Sequence, residues 1–183
     1  MLNGAPVGKR VAIIGAGGIG FDVAEFLAHR GMSPTLDAAL WRREWGVGDP
    51  AEVRGGLVEP APEAPAREVW LLQRKAEKPG RGLGKTTGWI HRAALAAKGV
   101  KMIGGVSYER ILPEGLVVRR GGVEELIPVD SVVLCAGQVP ARELADDLAT
   151  AGIAAHVIGG ADVAAELDAK RAIDQGARLA ARL

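Results

Sequence analysis

Residues 11–20, VAIIGAGGIG, run an apolar strand directly into Gly15, Gly17 and Gly20. Each glycine answers a geometric need of a strand-to-helix turn that holds a pyrophosphate. Gly15 permits the tight turn, Gly17 lets the backbone approach a phosphate, and Gly20 lets the following helix lie close on its strand. The phosphates then sit at the positive end of that helix. Ile19, Val23, Phe26 and Leu27 fall at helical spacing and predict its buried face, with Gly31 as its stop. The pattern predicts a parallel α/β fold and makes a dinucleotide the first ligand to consider. A glycine-rich turn that holds nothing is the competing reading.

Composition narrows the partners. The 23 basic and 22 acidic residues leave almost no net charge, so no broad field draws nucleic acid or an anionic membrane. Cys135 is the only cysteine; in the apolar run SVVLCAG it reads as a buried strand residue without a disulfide partner, which fits a reducing cytoplasm. His29, His91 and His156 are scattered, with no metal-ligand spacing around them. No apolar run approaches the roughly 20 residues of a spanning helix, and no signal peptide is read.

Along the chain, residues 1–7 read as a connector and residues 8–138 as the nucleotide-binding domain. Within it, 32–67 is an insertion rich in Pro, Gly and Glu. A short helix over Ala38–Trp45, docked by its tryptophans as ordinary surface packing, is expected there. Val69–Leu72 reads as the second parallel strand, followed at once by Gln73, Arg74 and Lys75. In such folds an acidic residue at this strand end selects NAD, and a basic one accommodates the 2′-phosphate of NADP. Arg74 lies well beyond the usual spacing of about 20 residues, and the insertion accounts for the excess. A planar guanidinium and a point-charge ammonium both suit a phosphate dianion. A solvated basic strand end is the alternative.

A basic, glycine-rich loop at 78–85 carries Arg81 and Lys85 to the start of a helix expected over 86–98. Thr86 or Thr87 caps this helix, Gly99 ends it, and Ile90, Ala94 and Ala97 form its packing face. The string GLGKTT lacks the first glycine of a Walker loop, which argues against an NTPase. A third strand at 100–103 precedes a β-meander of three segments, 106–111, 116–119 and 124–129. The run SVVLCAG then reads as a parallel strand covered on both faces, stopped by Gly137. Residues 139–183 differ in texture: a short helix at 142–149, a strand at 155–158, and a last helix. In that helix Ala169, Ala172, Ile173, Gly176 and Ala180 form the buried stripe, and Glu166 with Lys170 and Asp174 with Arg178 pair outside.

The segments VAIIGAGGIGFDVAEFL, LLQRK, GLGKTTGWIHR, GVKMI, GVSYERI, VVLCAGQ and VIGGADVAAELDAKRAI resemble, in order and over nearly the whole chain, the C-terminal part of bacterial NADPH-dependent 2,4-dienoyl-CoA reductases. The resemblance implies a much longer flavoprotein. Its other parts are an FMN-bearing TIM barrel with the substrate site, a four-iron four-sulfur cluster, and paired FAD and NADPH domains. Electrons pass there from NADPH to FAD, through the cluster to FMN, and on to the dienoyl thioester in fatty acid β-oxidation. The implied fold is a Rossmann-like parallel sheet with a β-meander crossover, the NADPH domain of the disulfide-reductase type. Residues 139–183 are then the strand–helix return segment of the FAD domain.

Carried over position by position, the resemblance puts Gly15, Gly17, Gly18, Ile19 and Gly20 along the pyrophosphate and Arg74 and Lys75 on the 2′-phosphate. Gly137 matches the glycine that flanks the cofactor after the last strand, while Arg81 and Lys85, read from their place near the start of the 86–98 helix, stand where phosphate could lie. Asp22 matches an acidic position near the nicotinamide end; an acid favoured by the helix dipole is the equal alternative. Gly160 and Asp162 resemble the Gly-Asp pair that holds FAD, although Ala161 intervenes. Leu167, Asp168 and Ala169 open the final helix toward the flavin.

The FAD domain's own glycine fingerprint, the cluster cysteines and the barrel's acid are missing from the sequence. One cysteine cannot ligate a cluster, so no metal site and no catalytic residue is expected. The chain alone is not expected to reduce dienoyl-CoA; its expected partners are NADPH and the remainder of the FAD domain and FMN barrel. Two alternatives stay open. One is an NADH- or ADP-binding domain of a related enoate reductase or amine dehydrogenase, and the other is a nucleotide-binding module without redox work.

Overall fold

A computed structural model describes residues 3–165 and 168–183. The chain forms two compact units, one up to Ala136 and one over Gly137–Leu183. The first is built on a parallel sheet of β1 (Arg10–Ile14), β2 (Glu68–Leu72), β3 (Lys101–Ile103) and β7 (Ser131–Leu134), in the order β3-β2-β1-β7. β1 pairs in parallel with β2 from Arg10↔Glu68 to Ile14↔Leu72 and with β7 from Val11↔Ser131 to Ile14↔Leu134. Two covering layers explain the continuous apolar strands. On one face Val11, Ile13, Val69 and Leu71 meet α1 (Gly18–Ala28) and α3 (Gly88–Ala97) through Phe21, Leu27 and Leu95. On the other, Ala12, Ile14, Trp70 and Leu72 meet an antiparallel meander through Leu116, Val118 and Ile127. The meander is β4 (Val106–Leu112), β5 (Gly115–Arg120) and β6 (Val123–Ile127), in sequence order.

The elements of this unit are those expected, but both helices expose part of the face assigned to them. In α1 the buried residues are Gly20, Phe21, Ala24, Leu27 and Ala28, while Ile19 and Phe26 are exposed. Gly20 sets that rotation. A Cβ there would come within 2.9 Å of the Gly15 carbonyl carbon, and closer still to its oxygen. The helix therefore turns its glycine, and the residues in line with it, toward the strand. In α3 Gly88 and Leu95 are the buried positions, Ala94 is half-buried, and Ile90 and Ala97 are exposed. Here Gly88 faces inward because its position is filled by Leu83, whose Cβ would lie 2.8 Å from an added Cβ.

β7 also differs from the expected doubly covered strand. It lies at the edge of the sheet with β1 as its sole neighbour, so Leu134 is 73% exposed. Cys135 follows the strand, bonds through its N–H to the Ile14 carbonyl at 2.8 Å, and is only partly buried. That burial raises the thiol above its ordinary pKa.

The insertion holds α2 (Ala38–Trp45), the short helix expected there. Asp37 caps it by accepting from the Ala39 and Leu40 amides. Leu40 is its buried residue, Trp41 remains exposed, and the two indoles meet at 6.5 Å. Glu44 adds an ion pair to Lys98 after α3, at 3.4 Å. The insertion returns to the core where Ala66 N–H donates to Ala28 O and Arg67 donates to Leu27 O.

The second unit contains α4 (Glu143–Thr150), a 3-10 turn at Gly159–Ala161 and α5 (Ala169–Ala180). Residues 155–158 are not a strand. Among the described residues this unit has no strand to pair with them, and an unpaired segment has no ladder to join. α5 also lacks the fully buried stripe expected of it. Ala172 and Gly176 are half-buried, but Ala169, Ile173 and Ala180 are exposed. Gln175 sets the inner face, accepting from Gly159 N–H at 2.8 Å and donating to Asp162 at 3.2 Å. The Asp174–Arg178 pair forms at 2.9 Å. Glu166, and with it the pair expected with Lys170, lies outside the described residues. Among the described residues no helix is long and apolar enough to cross a membrane.

Candidate functional site

β1 is the point where the sheet's winding reverses: β2 and β3 lie on one side of it and β7 on the other. Open α/β sheets bind ligands in the crevice beyond the strand ends at such a point. A crevice of about 270 Å³ occurs there. Its walls are the turn Gly15–Gly17 after β1, the segment Gln73–Lys75 after β2, Ala136 after β7, the loop carrying Gly80–Gly82, and Tyr108 of β4.

Both the open and the closed parts of the glycine turn are enforced. Gly15 has φ +112°, and an added Cβ would stand 2.5 Å from Cys135 O, so only glycine fits. Gly17 and Gly18, by contrast, would meet nothing within 4 Å. That side is open space where a ligand backbone can approach. Gly17 is the N-cap of α1 and supplies no side-chain cap, leaving the first-turn amides for an anion.

The basic wall is held by a residue that sequence reading did not single out. Gln73 folds its side chain back over its own loop, donating through Nε2 to Lys75 O at 3.0 Å and Glu77 O at 2.6 Å. Gly105 N–H also donates to Lys75 O, and Gly104 lies so close that a Cβ would reach Glu77 O at 2.7 Å. The loop is therefore clamped, and Arg74 and Lys75 project from a fixed base. Arg74 makes no hydrogen bond or ion pair among the described residues. Arg81 is tethered to Glu77 at 3.0 Å, and Arg92 donates to Gly80 O at 2.8 Å, which fixes the neighbouring loop.

Of the predicted residues, Gly15, Gly17, Arg74, Lys75 and Arg81 therefore line one crevice. Gly18 and Ile19 are exposed at the helix start and Gly20 is buried beneath it, none of them in the crevice lining. Asp22 and Lys85 are exposed and also outside it. Gly137 follows directly on Ala136, with φ +83°. In the second unit Gly160 lies in the 3-10 turn, and the Asp162 carboxylate is engaged by Gln175 and lies 3.8 Å from Arg142. Asp168 caps α5 by accepting from Arg171 N–H at 2.7 Å, Ala169 opens that helix, and Leu167 lies outside the described residues.

Tyr108 was missed because its place depends on how the meander sits on the sheet. The only available signal was a single tyrosine in a strand that follows β3 by a Gly-Gly step. Burial raises its phenol above the ordinary pKa, and the nearby positive charge of Arg74 opposes the shift.

A larger cavity, about 360 Å³, opens between α1, α2 and α3, with Phe26, Trp41, Trp45 and Ile90 among its walls. It shares no lining residue with the crevice.

A parallel sheet with a glycine turn at its switch point and a meander on one face defines a Rossmann-like nucleotide-binding unit. The chain belongs to the pyridine nucleotide-disulphide oxidoreductase family, whose model matches residues 2–171. It is 28% identical over 137 residues to a metal reductase of Desulforamulus reducens, covering 75% of this chain and 20% of that protein. Its fold is similar to that of histamine dehydrogenase from Rhizobium sp. 4-9, at a TM-score of 0.64 and 18% identity, covering 100% of this chain and 24% of that one. A 2-naphthoyl-CoA reductase in complex with 2-naphthoyl-CoA matches at a TM-score of 0.63 and 18% identity, over 96% of this chain and 21% of that chain. The chain thus spans about a fifth to a quarter of the length of these proteins.

Proposed function

We propose that this chain is the NADPH-binding part of a flavoprotein of the 2,4-dienoyl-CoA reductase type, and that it positions NADPH for hydride transfer to FAD. The observation that carries the reading is the meeting, in one crevice, of the side-chain-free turn at Gly15 and Gly17 with the basic end of β2 at Arg74 and Lys75. The residues fit the group. The α1 amides and the open face of Gly17 suit a pyrophosphate, and the uncommitted Arg74 guanidinium suits a 2′-phosphate through paired N–H donors. NADPH when bound supplies the hydride. The chain's work is to hold it: Gln73 fixes the basic loop, and Gly15 keeps the β1 turn against Cys135.

In this reading residues 8–138 are the NADPH domain and 139–183 belong to the FAD domain, with Gly160, Asp162 and the start of α5 near the flavin. FMN, the iron–sulfur cluster and the dienoyl thioester belong to other parts of the full-length enzyme.

Calorimetric titration with NADPH and NADH tests the nucleotide. NADPH is expected to bind at least tenfold more tightly, and Arg74→Ala to erase most of that difference, since a charge-assisted contact contributes about 1.5–3 kcal/mol. Equal affinities in the unaltered chain would remove the 2′-phosphate reading. Joining the chain to an FAD half-domain tests the redox step: bound flavin that NADPH does not bleach would leave only a nucleotide-binding module.

A further inference from the structure

Resting on the nucleotide reading above, we infer that the ring of Tyr108 is the platform on which the adenine base stacks, making this residue a determinant of base recognition. The argument starts from direction. With the pyrophosphate at Gly15–Gly17 and the phosphorylated ribose at Arg74, the base must continue past β2, away from β7 and toward the β3 side of the sheet. Gly104 and Gly105 alone separate β3 from β4, so the chain turns back at once and brings Tyr108 to that side of the crevice. Tyr108 is the one aromatic residue in its lining.

Local structure aims the ring. Val106 is buried and Ser107 exposed, so the pleat directs Tyr108 inward, where it packs against the core beneath the meander and is half-buried. A bulge follows: Tyr108 pairs with Val118 and Arg110 with Val117, leaving Glu109 as the extra residue. Without it the alternation would put Arg110 on the same face as Tyr108. With it, Arg110 lies elsewhere and pairs with Glu124 at 2.9 Å, which keeps a second long side chain away from the ring. Bulges re-aim side chains in this way. A tyrosine phenol is protonated at neutral pH, and burial here raises its pKa further; a neutral π-face beside a guanidinium suits a purine, whose stacking on an aromatic side chain is favourable irrespective of hydrogen bonding.

The test uses the fact that the chain has a single tyrosine. In protein labelled with ring-¹³C tyrosine, titration with 2′,5′-ADP is expected to move the Tyr108 ring resonances upfield as the adenine ring current reaches them. Tyr108→Leu, which keeps bulk and removes the π-face, is expected to weaken 2′,5′-ADP about tenfold, and Tyr108→Phe to bind as the unaltered chain does. If 2′,5′-ADP binds but the resonances stay in place, or if the Leu variant binds with unchanged affinity, the stacking role is overturned while the nucleotide reading stands. If neither NADPH nor 2′,5′-ADP binds the unaltered chain, the nucleotide reading itself fails, and this inference with it.

Discussion

Gly20→Ala is a perturbation whose sign separates two effects. Helix propensity alone favours alanine over glycine in a helix interior by about 1 kcal/mol, so an unobstructed site would gain stability. At Gly20 the added Cβ would stand 2.9 Å from the Gly15 carbonyl carbon and 3.4 Å from Leu71 Cδ1. The Gly15 backbone cannot yield. Its N–H donates to Leu72 O at 2.8 Å, and on its other side Cys135 O leaves no room even for a Cβ. The helix must retreat by on the order of 1 Å to restore contact distance, loosening Phe21, Ala24, Leu27 and Ala28 from the core at once. Overpacking costs about 1–3 kcal/mol, and a clash with backbone rather than a flexible side chain puts Gly20→Ala at the upper end, about 3 kcal/mol, above the propensity gain. The expected net loss is about 2 kcal/mol, or a fall in Tm of about 4–8 °C for a chain of this size. Gly18→Ala is the control, since nothing lies within 4 Å of its Cβ; it should leave Tm unchanged or slightly raised. Gly17→Ala should likewise fold, yet weaken NADPH at least tenfold by placing a methyl where the phosphates approach. Thermal scans by circular dichroism and calorimetric titration read all three. A Gly20→Ala chain as stable as the original would refute the close-contact argument, and a Gly17→Ala chain that binds NADPH normally would refute the phosphate site.

Gln73→Ala removes both hydrogen bonds that clamp the basic loop; at about 1 kcal/mol for each, NADPH affinity should fall by up to about thirtyfold, with the Tm little changed. A change in Tm without one in affinity would show the clamp to be structural only. Lys98→Met removes the counter-charge of Glu44, in a pair whose side chains are only 11% and 8% exposed, and leaves its carboxylate, among the described residues, only the Glu63 N–H at 3.4 Å. Urea denaturation should show a loss of about 3 kcal/mol, largely recovered when Glu44→Leu is added; a single variant as stable as the original sinks the claim. Asp130 accepts from the Arg10 guanidinium and from the Arg10 and Lys9 amides, which holds its carboxyl below the ordinary 3.8. A lowered folded-state pKa means that the carboxylate stabilises fully above the unfolded value, and that this contribution is lost as pH falls through the folded one. The stability gap between the original and Asp130→Asn should therefore be constant near neutrality and shrink below about pH 4. A gap that is flat across acid pH refutes it.

How far a sequence discloses such a site depends on whether the decisive contact is local. The strand β1, its glycine turn and the basic end of β2 were legible because each is written in consecutive residues whose chemistry admits few uses. The three meander segments were legible from alternation broken by Gly and Pro turns. The helix faces were not fully legible. Apolar spacing in α1 counts Ile19 and Phe26 as core, yet the rotation is set by the one residue with no side chain, Gly20, against a carbonyl from a different element. The same holds in α5, where Gln175 accepts from Gly159 N–H and donates to Asp162, and these bonds outweigh the apolar stripe and turn Ile173 outward.

The site divides along the same line. Gly15, Gly17, Arg74 and Lys75 could be named from motif position, because strand ends meet at a switch point in any sheet of this winding, and Arg81 from its basic loop before a helix. Gln73 and Tyr108 could not: one works by folding back on its own loop, and the other reaches the crevice only after the chain reverses at Gly104–Gly105 and the bulge at Glu109 moves Arg110 aside. Lys85 fails for the converse reason. Its string looks like a phosphate loop, but the loop's anchors are Arg92 on Gly80 and Gly80 against Phe21, which bring Arg81 and Gly82 to the crevice and leave Lys85 in solvent. A residue's type announces what it could bind; the backbone hydrogen bonds two or three positions away decide whether it can reach.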